Sequence, residues 1–235
     1  MSSKSEFGLM KKIFSSLFLI LYLSQSYAFT PEKSAEKTVE ESVVVILDLI
    51  RSLNAEATTE LYLIEMETLM DELVSYPVIA RRVMGSYFAT ASREQKIKFL
   101  SALRTSLINT YALGIKSFGG YKVAVQYGKG EQNTLKNTQV FLEIQSPEGN
   151  KYPMMQSMYY SRKAEGWLVQ NIVFNGVNLG ITFKNQFQRI MDLAEGDLDR
   201  AVILWIESTQ NTYDQANYRN PSETLLKESA ESEEF

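Results

Sequence analysis

Apolar residues in the first half of the chain recur at helical spacing. The pattern predicts one helix over residues 31–53, with Thr30 as N-cap and Pro31 in its first turn. A second helix is predicted over residues 58–74, and Pro77 is expected to open a short third one. The N-terminal half is therefore expected to be all helical.

A longer helix is predicted after Ser92 and Gln95, which have the spacing of a capping box. One apolar stripe of this helix is expected to face the core, and it comprises Ile97, Leu100, Leu103, Leu107, Tyr111, Ile115 and Phe118. Two more helices are predicted after Gly176. Their apolar faces comprise Phe183, Phe187, Ile190, Met191 and Ala194 in the first, and Leu198, Ala201, Val202, Trp205 and Ile206 in the second.

Between these helices the apolar period changes from helical spacing to alternation, which is typical of strands. The four predicted strands cover residues 121–127, 138–145, 151–162 and 167–174. Because short turns join them, they are expected to form an antiparallel meander. The predicted fold class is α+β, with several helices covering a curved antiparallel sheet of four strands.

The last strand, WLVQNIVF, is apolar on both faces. Strict alternation groups Trp167, Val169 and Val173 on one face, and Leu168, Ile172 and Phe174 on the other. Such a strand must be covered on both sides, either by protein or by a ligand. From the residues alone, solid core and ligand cavity both remain open.

The amino-acid composition excludes several kinds of catalytic site, metal site and cross-link. The 235 residues include no His and no Cys, which excludes disulfides, cysteine nucleophiles, serine–histidine triads and zinc sites built on these residues. A general acid or base would have to be Asp, Glu, Lys or Tyr. No acid pair, glycine-rich phosphate loop or calcium-binding loop is present in the sequence, so neither a catalytic nor a metal site is predicted.

The N-terminal residues have the pattern of a secretory signal peptide. Lys11 and Lys12 precede the apolar stretch Ile13–Leu23, which is too short to span a bilayer comfortably. Small residues follow at Ser26 and Ala28, so cleavage is expected after Ala28. An uncleaved membrane anchor is the alternative.

Three regions are accordingly predicted: a signal peptide over 1–28, one domain over 29–220 and an acidic flexible tail over 221–235. Removing residues 1–28 takes the basic residues from 24 to 21 and the acidic residues from 28 to 27, which leaves a net charge of −6. That charge argues against a general nucleic-acid partner.

Two stretches carry a resemblance to a known family: VIARRVMGSYFATASREQKIKFLSALRTSLINTY and GWLVQNIVFNGVNLGITFKNQF. In these stretches the chain resembles the MlaC/Ttg2D family of periplasmic phospholipid-binding proteins, also called toluene-tolerance proteins. The positions that follow the family pattern are Gly85, Tyr87, Gln95, Phe99, Tyr111, Trp167, Gly176, Val177, Leu179 and Phe187, and Thr182 stands where the family has Asn. Asn171, Asn178, Phe183 and Lys184 stand where the family has Asp, Ser, Tyr and Arg.

The resemblance implies a soluble periplasmic carrier whose helices and curved sheet enclose phospholipid acyl chains. It implies transfer of phospholipid between the outer and inner membranes, which maintains outer-membrane lipid asymmetry. The implied partners are an outer-membrane lipoprotein complex and an inner-membrane ABC transporter with an MCE-domain protein. A monomer is expected, with bound phospholipid as the ligand and no cofactor.

The resemblance and the strand pattern together predict a lipid pocket. Its predicted lining comprises Met84, Tyr87, Val123, Val125, Val140, Leu142, Ile144, Met154, Met158, Tyr160, Val169 and Val173. Arg81 and Arg82 are candidates for a phospholipid headgroup at the pocket mouth, with a solvated helix face as the alternative. Two other functions remain open: a small-molecule isomerase or dehydratase with an acid or base in the pocket, and a scaffold without a cavity.

Overall fold

The computed structural model describes residues 29–53, 59–130 and 133–216. The predicted signal peptide and acidic tail lie outside these residues. The chain divides into two compact units, Met1–Glu32 and Lys33–Phe235. The described part of the first unit, residues 29–32, contains no helix or strand, and every element below belongs to the second unit.

Seven α-helices and five strands occur in the described residues. The helices are α1 (Ala35–Leu53), α2 (Thr59–Leu73), α3 (Tyr76–Met84), α4 (Tyr87–Thr90), α5 (Arg93–Lys116), α6 (Leu179–Leu193) and α7 (Leu198–Ala216), with a 3₁₀ turn at Ser117–Gly120. The strands are β1 (Lys122–Gln126), β2 (Thr138–Gln145), β3 (Lys151–Ser161), β4 (Gly166–Phe174) and β5 (Val177–Asn178). This order confirms the predicted α+β class.

The predicted start of the first helix is wrong, whereas the predicted capping box is confirmed. α1 begins at Ala35, because Ser34 accepts a hydrogen bond from the backbone N–H of Lys37 at 3.2 Å and acts as the N-cap. At α5, the Ser92 hydroxyl accepts from the N–H of Gln95 at 3.1 Å, and the Gln95 side chain accepts from the N–H of Ser92 at 3.0 Å.

α5 is buried on two sides, so its single predicted stripe is only partly correct. One side packs on α7, where the rings of Phe99 and Trp205 lie 5.4 Å apart, and a second side carries the buried Leu107. Ile97 is 55% exposed, because six helical residues place it about 120° around the axis from Leu103. On α7, Ile206 is 49% exposed, since it lies about 100° from the buried Trp205.

The sheet is antiparallel throughout, with strand order β1-β2-β3-β4-β5. The short β5 was not predicted, and it pairs with the end of β4. Directly paired residues share a face. One face is called the inner face, and its members in β1–β4 are Val123, Val125, Thr138, Val140, Leu142, Ile144, Tyr152, Met154, Gln156, Met158, Tyr160, Trp167, Val169, Ile172 and Phe174.

A β-bulge in β4 overturns the predicted grouping of that strand. Ser157 pairs with Asn171, but the next residue of β3, Met158, pairs with Val169, which leaves Gln170 as an extra residue on β4. The extra residue reverses the alternation beyond it. Ile172 and Phe174 therefore share the inner face with Val169.

Two kinds of packing surround the sheet. α3, α5, α6 and α7 form a solid helical core around Phe99, Phe187 and Trp205. α1 packs across the inner face through Ala35 and Val39. The end of α2 is joined to the sheet where Val74 forms a parallel bridge with Val169 and the N–H of Ser75 donates to the Val169 carbonyl at 2.9 Å.

Candidate functional site

A cavity of about 280 Å³ lies between the inner face of the sheet and the helices α1, α2, α5 and α6. This volume is close to the lower end of the range for ligand sites, which is about 300–1,000 Å³. The sheet residues that line it are Val123, Leu142, Ile144, Met154, Gln156, Met158, Val169, Gln170, Asn171, Ile172 and Phe174. The cavity therefore occupies space that a solid core would otherwise fill.

The lining is almost entirely aliphatic, aromatic and methionine side chains. Its polar members among the described residues are Ser42, Tyr111, Gln156, Gln170 and Asn171. No Asp, Glu, Lys or Arg occurs among the lining residues that the structure describes. Such a surface favours an apolar ligand, because a charged group placed there would lose its hydration without gaining a partner of opposite charge.

Six of the predicted lining residues do line the cavity: Val123, Leu142, Ile144, Met154, Met158 and Val169. Val125, Val140 and Tyr160 lie on the inner face and in the same apolar cluster as several lining residues, but they do not line the cavity. Val140 is fully buried there, and the ring of Tyr160 packs edge-on against Trp167 at 5.6 Å. Lipid contact by the six cavity residues stays a prediction.

The placement of Val173, Met84 and Tyr87 in the lining is wrong. Val173 pairs with Met155 on the opposite face of the sheet, because the bulge reverses the alternation between Val169 and Val173. Met84 is 1% exposed within the helical core, and Tyr87 packs edge-on against Phe187 at 6.1 Å. The apolar pattern predicted the burial of Met84 correctly but did not show that the helical core, and not the cavity, buries it.

Arg81 and Arg82 both contact other residues of the protein, and neither lines the cavity. The Arg82 guanidinium donates to the backbone carbonyl of Gln170 at 3.2 Å and to its side-chain oxygen at 2.8 Å. These bonds join α3 to the bulge of β4. The Arg81 guanidinium lies over the ring of Phe88, 5.5 Å from its centroid.

Much of the lining comes from helices that sequence reasoning did not assign to a site. α1 and α2 contribute Val39, Val43, Ile46, Leu47, Ile50, Met66, Leu69, Met70 and Leu73. Their helical spacing was visible in the sequence, but spacing alone does not distinguish a helix that faces a cavity from one that faces solid core. α5 adds Leu107, Tyr111 and Ile115.

Polar contacts fix α2 to α5. The buried Tyr62 hydroxyl donates to the carbonyl of Ala112 at 2.6 Å, and this burial raises the pKa of Tyr62. Arg104 on α5 donates to the carboxylates of Asp71, at 2.7 Å from Nε, and Glu67, at 2.6 Å. These carboxylates raise the pKa of Arg104, so it stays charged. The contacts hold in place the helix that lines one side of the cavity.

The start of α6 forms another edge of the cavity. The Asn178 side chain caps the helix by accepting from the N–H of Ile181 at 3.2 Å, and it also accepts from the side chain of Asn171 at 3.1 Å. Asn171 in turn accepts from the N–H of Gly180 at 3.0 Å. A Cβ at residue 180 would lie only 2.5 Å from the Asn171 oxygen, so this close approach requires glycine.

Asp48, Glu65 and Glu143 lie outside the cavity lining. Asp48 on α1 forms an exposed ion pair with Arg51, Glu65 is exposed on α2, and Glu143 pairs with Lys151 on the sheet. Within the described ranges no group of three or more acidic residues could hold a metal ion. In the same ranges, no helix combines the length and apolar character that crossing a bilayer requires.

Comparison with known proteins agrees with this architecture. The chain is 23% identical over 161 residues to the toluene tolerance protein ttg2D of Pseudomonas putida, which covers 68% of this chain and 73% of that protein. Its fold resembles that of a phospholipid-binding protein from Ralstonia solanacearum, solved in complex with a phospholipid, with a TM-score of 0.64 at 21% identity. The alignment covers 76% of this chain and 98% of the Ralstonia chain.

A protein family also matches most of the chain. Residues 25–202 match the MlaC protein family, and this range spans well over half of the chain. It includes every strand of the sheet and the helices that line the cavity. The chain therefore belongs to the MlaC family.

Proposed function

We propose that this protein is a phospholipid carrier that holds acyl chains in the cavity between the sheet and helices α1, α2, α5 and α6. The apolar character of the cavity lining is the observation that supports the proposal most directly. The Ralstonia protein of the same fold, which was solved with a phospholipid, supports it independently.

The physical task of such a carrier is to keep acyl chains out of water. Each buried methylene contributes about 0.8 kcal/mol, so burying ten of them contributes about 8 kcal/mol. Hydrocarbon alone supplies this binding energy, and no reacting group is needed. Because the described lining contains no charged side chain, the phosphate headgroup belongs in solvent at the mouth of the cavity.

The proposed location is the periplasm, with transfer of phospholipid between the outer and inner membranes and maintenance of outer-membrane lipid asymmetry. Membership of the MlaC family supports this location, as does the signal-peptide pattern of residues 1–28. The proposed partners are an outer-membrane lipoprotein complex and an inner-membrane ABC transporter with an MCE-domain protein. Each partner must open the cavity or compete for its contents, because lipid buried at this depth leaves slowly without help.

The enzyme alternative needs an acid or base in the cavity beside a second polar group. Tyr111 is the only residue of the described lining whose side chain ionises, and its ring packs edge-on against Phe183 at 5.9 Å. No observation in the described residues therefore favours an isomerase or dehydratase over a carrier.

Native mass spectrometry of the purified protein tests the proposal. The intact mass should exceed the polypeptide mass by one or more phospholipids, and solvent extraction should release phospholipids with little headgroup preference. Protein that stays empty after incubation with phospholipid vesicles, while remaining folded, would contradict the carrier function. A matched control is the variant Phe141→Ser, since Phe141 lies on the face opposite the cavity and its loss should leave lipid content unchanged.

A further inference from the structure

Gln156 places an amide in the apolar cavity. It is the sixth of eleven residues in β3, the middle strand of the sheet, and it lies on the inner face opposite Val140 and Ile172. Its neighbours on that face of β3 are Met154 and Met158, and all three line the cavity. Gln156 therefore belongs to the part of the sheet that lines the cavity.

The other polar lining residues already use their polar groups within the protein. The Ser42 hydroxyl donates to the carbonyl of Thr38 at 2.7 Å. Gln170 donates to the Asn137 side chain at 3.3 Å and accepts from Arg82 at 2.8 Å. Asn171 bonds with Asn178 and Gly180, as described above, and Tyr111 also has a partner.

Gln156 differs from these residues. Within the described part of the chain, its one side-chain hydrogen bond is a contact of Nε2 with the sulfur of Met154 at 3.9 Å, and a thioether is a weak acceptor. Its side-chain oxygen accepts no hydrogen bond there. An amide has two donors and two acceptor positions, so the described residues satisfy only a small part of its capacity.

The ligand that fits this residue must bring a neutral polar group into the apolar space. Pure hydrocarbon would cover the amide without satisfying it, which is unfavourable. A phosphate would be a buried charge with no cationic residue in the described lining. An ester carbonyl, which joins each acyl chain to glycerol, is an uncharged acceptor that lies next to the hydrocarbon.

We propose that Gln156 donates a hydrogen bond from Nε2 to an ester carbonyl of the bound lipid and so makes the cavity selective for acyl esters over ether-linked lipids. This inference rests on the proposed function, since it assigns a contact within the same cavity. It also fixes the depth of the lipid, because the glycerol backbone must lie within hydrogen-bond reach of the Gln156 amide.

Competition between two lipids tests the assignment. Delipidated protein is incubated with vesicles containing equal amounts of a diacyl phosphatidylglycerol and its dialkyl ether analogue with the same headgroup and chain length. Native mass spectrometry then gives the ratio of the two bound lipids. We expect the wild-type protein to prefer the ester about three- to tenfold, which is the effect of one hydrogen bond to a neutral acceptor.

The variant Gln156→Met should bind both lipids and lose this preference, because methionine has a similar length but offers no N–H. The control Met155→Leu changes the adjacent residue of β3, which lies on the opposite face outside the cavity, and should keep the wild-type ratio. A wild-type ratio near one, or an unchanged preference in Gln156→Met, would overturn the assignment but leave the carrier function intact. If wild-type protein binds neither lipid, the proposed function itself fails. The ratio of ester to ether lipid is measured on the wild-type protein itself. The test therefore remains possible even if Gln156→Met does not fold.

Discussion

Met154 and Met155 form a matched pair for testing whether the inner face binds lipid. They are adjacent on β3, of the same residue type and both half-buried, but they lie on opposite faces of the sheet. Met154 lines the cavity, whereas Met155 pairs with Phe141 and Val173 on the other face. The same substitution to Asp at each position therefore differs mainly in what surrounds the new carboxylate.

At Met154 the carboxylate would face acyl chains in a cavity whose described lining has no cation to pair with it. The effective penalty for an unpaired buried charge is several kcal/mol. Taking about 3–4 kcal/mol, lipid affinity should fall about 150- to 700-fold, since each 1.4 kcal/mol is a factor of ten. An emptied cavity can admit water to solvate the carboxylate, so Met154→Asp should still fold.

The assay measures phospholipid per protein after purification, together with a thermal melt of the same sample. Met154→Asp should be nearly free of lipid and should melt cooperatively, whereas Met155→Asp should retain wild-type lipid content. Acidification should restore part of the lipid binding to Met154→Asp, because burial raises the pKa of the new carboxyl and its neutral form tolerates the cavity. Equal lipid content in the two variants would refute the reasoning, and so would unfolding of Met154→Asp alone, which would mean that the cavity behaves as solid core.

Three further predictions concern the residues that support the cavity and the effect of emptying it. Gly180→Ala should lower the free energy of unfolding by about 1–3 kcal/mol in urea titration, because the added Cβ collides with the Asn171 oxygen. Arg82→Leu should also lower the free energy of unfolding by about 1–3 kcal/mol, because it leaves the Gln170 acceptors unpaired. Loss of lipid at unchanged stability would instead indicate a headgroup role for Arg82. Delipidation should lower the melting temperature reversibly, since lipid at a hundred times its Kd stabilises the folded state by about 2.7 kcal/mol.

The elements of the fold were largely predictable because their signals are local. The capping box at Ser92, the alternation of β2 and the apolar spacing of α6 each lie within a short stretch of chain. The first helix was placed too early because Thr30-Pro31 and Ser34 are both acceptable starts, and the hydrogen bond of Ser34 distinguishes them only in the structure.

The site was less predictable, because cavity and core use the same residue types. Val140 and Leu142 lie two residues apart on the same face of β2 and are both almost fully buried, yet only Leu142 lines the cavity. Both residues belong to one apolar cluster with Ala35 and Val39 of α1, so the difference is whether a gap remains next to the side chain. The residues of one strand do not encode whether such a gap remains.

The bulge at Gln170 connects these observations. Without the extra residue, Val173 would share the inner face with Val169, and Ile172 and Phe174 would lie on the opposite face. The sequence signal is the polar pair Gln170-Asn171 inside an apolar strand, which interrupts the alternation where the bulge occurs.

The same short segment of β4 is also where helices attach to the sheet. Arg82 on α3 binds Gln170, and Ser75, between α2 and α3, donates to the carbonyl of Val169. At the other side of the bulge, Asn171 accepts from Gly180 at the start of α6. The residues that redirect β4 toward the cavity thus also position the helices that cover it. For this reason a change at Gln170 should alter the shape of the cavity more than the loss of any one apolar lining residue.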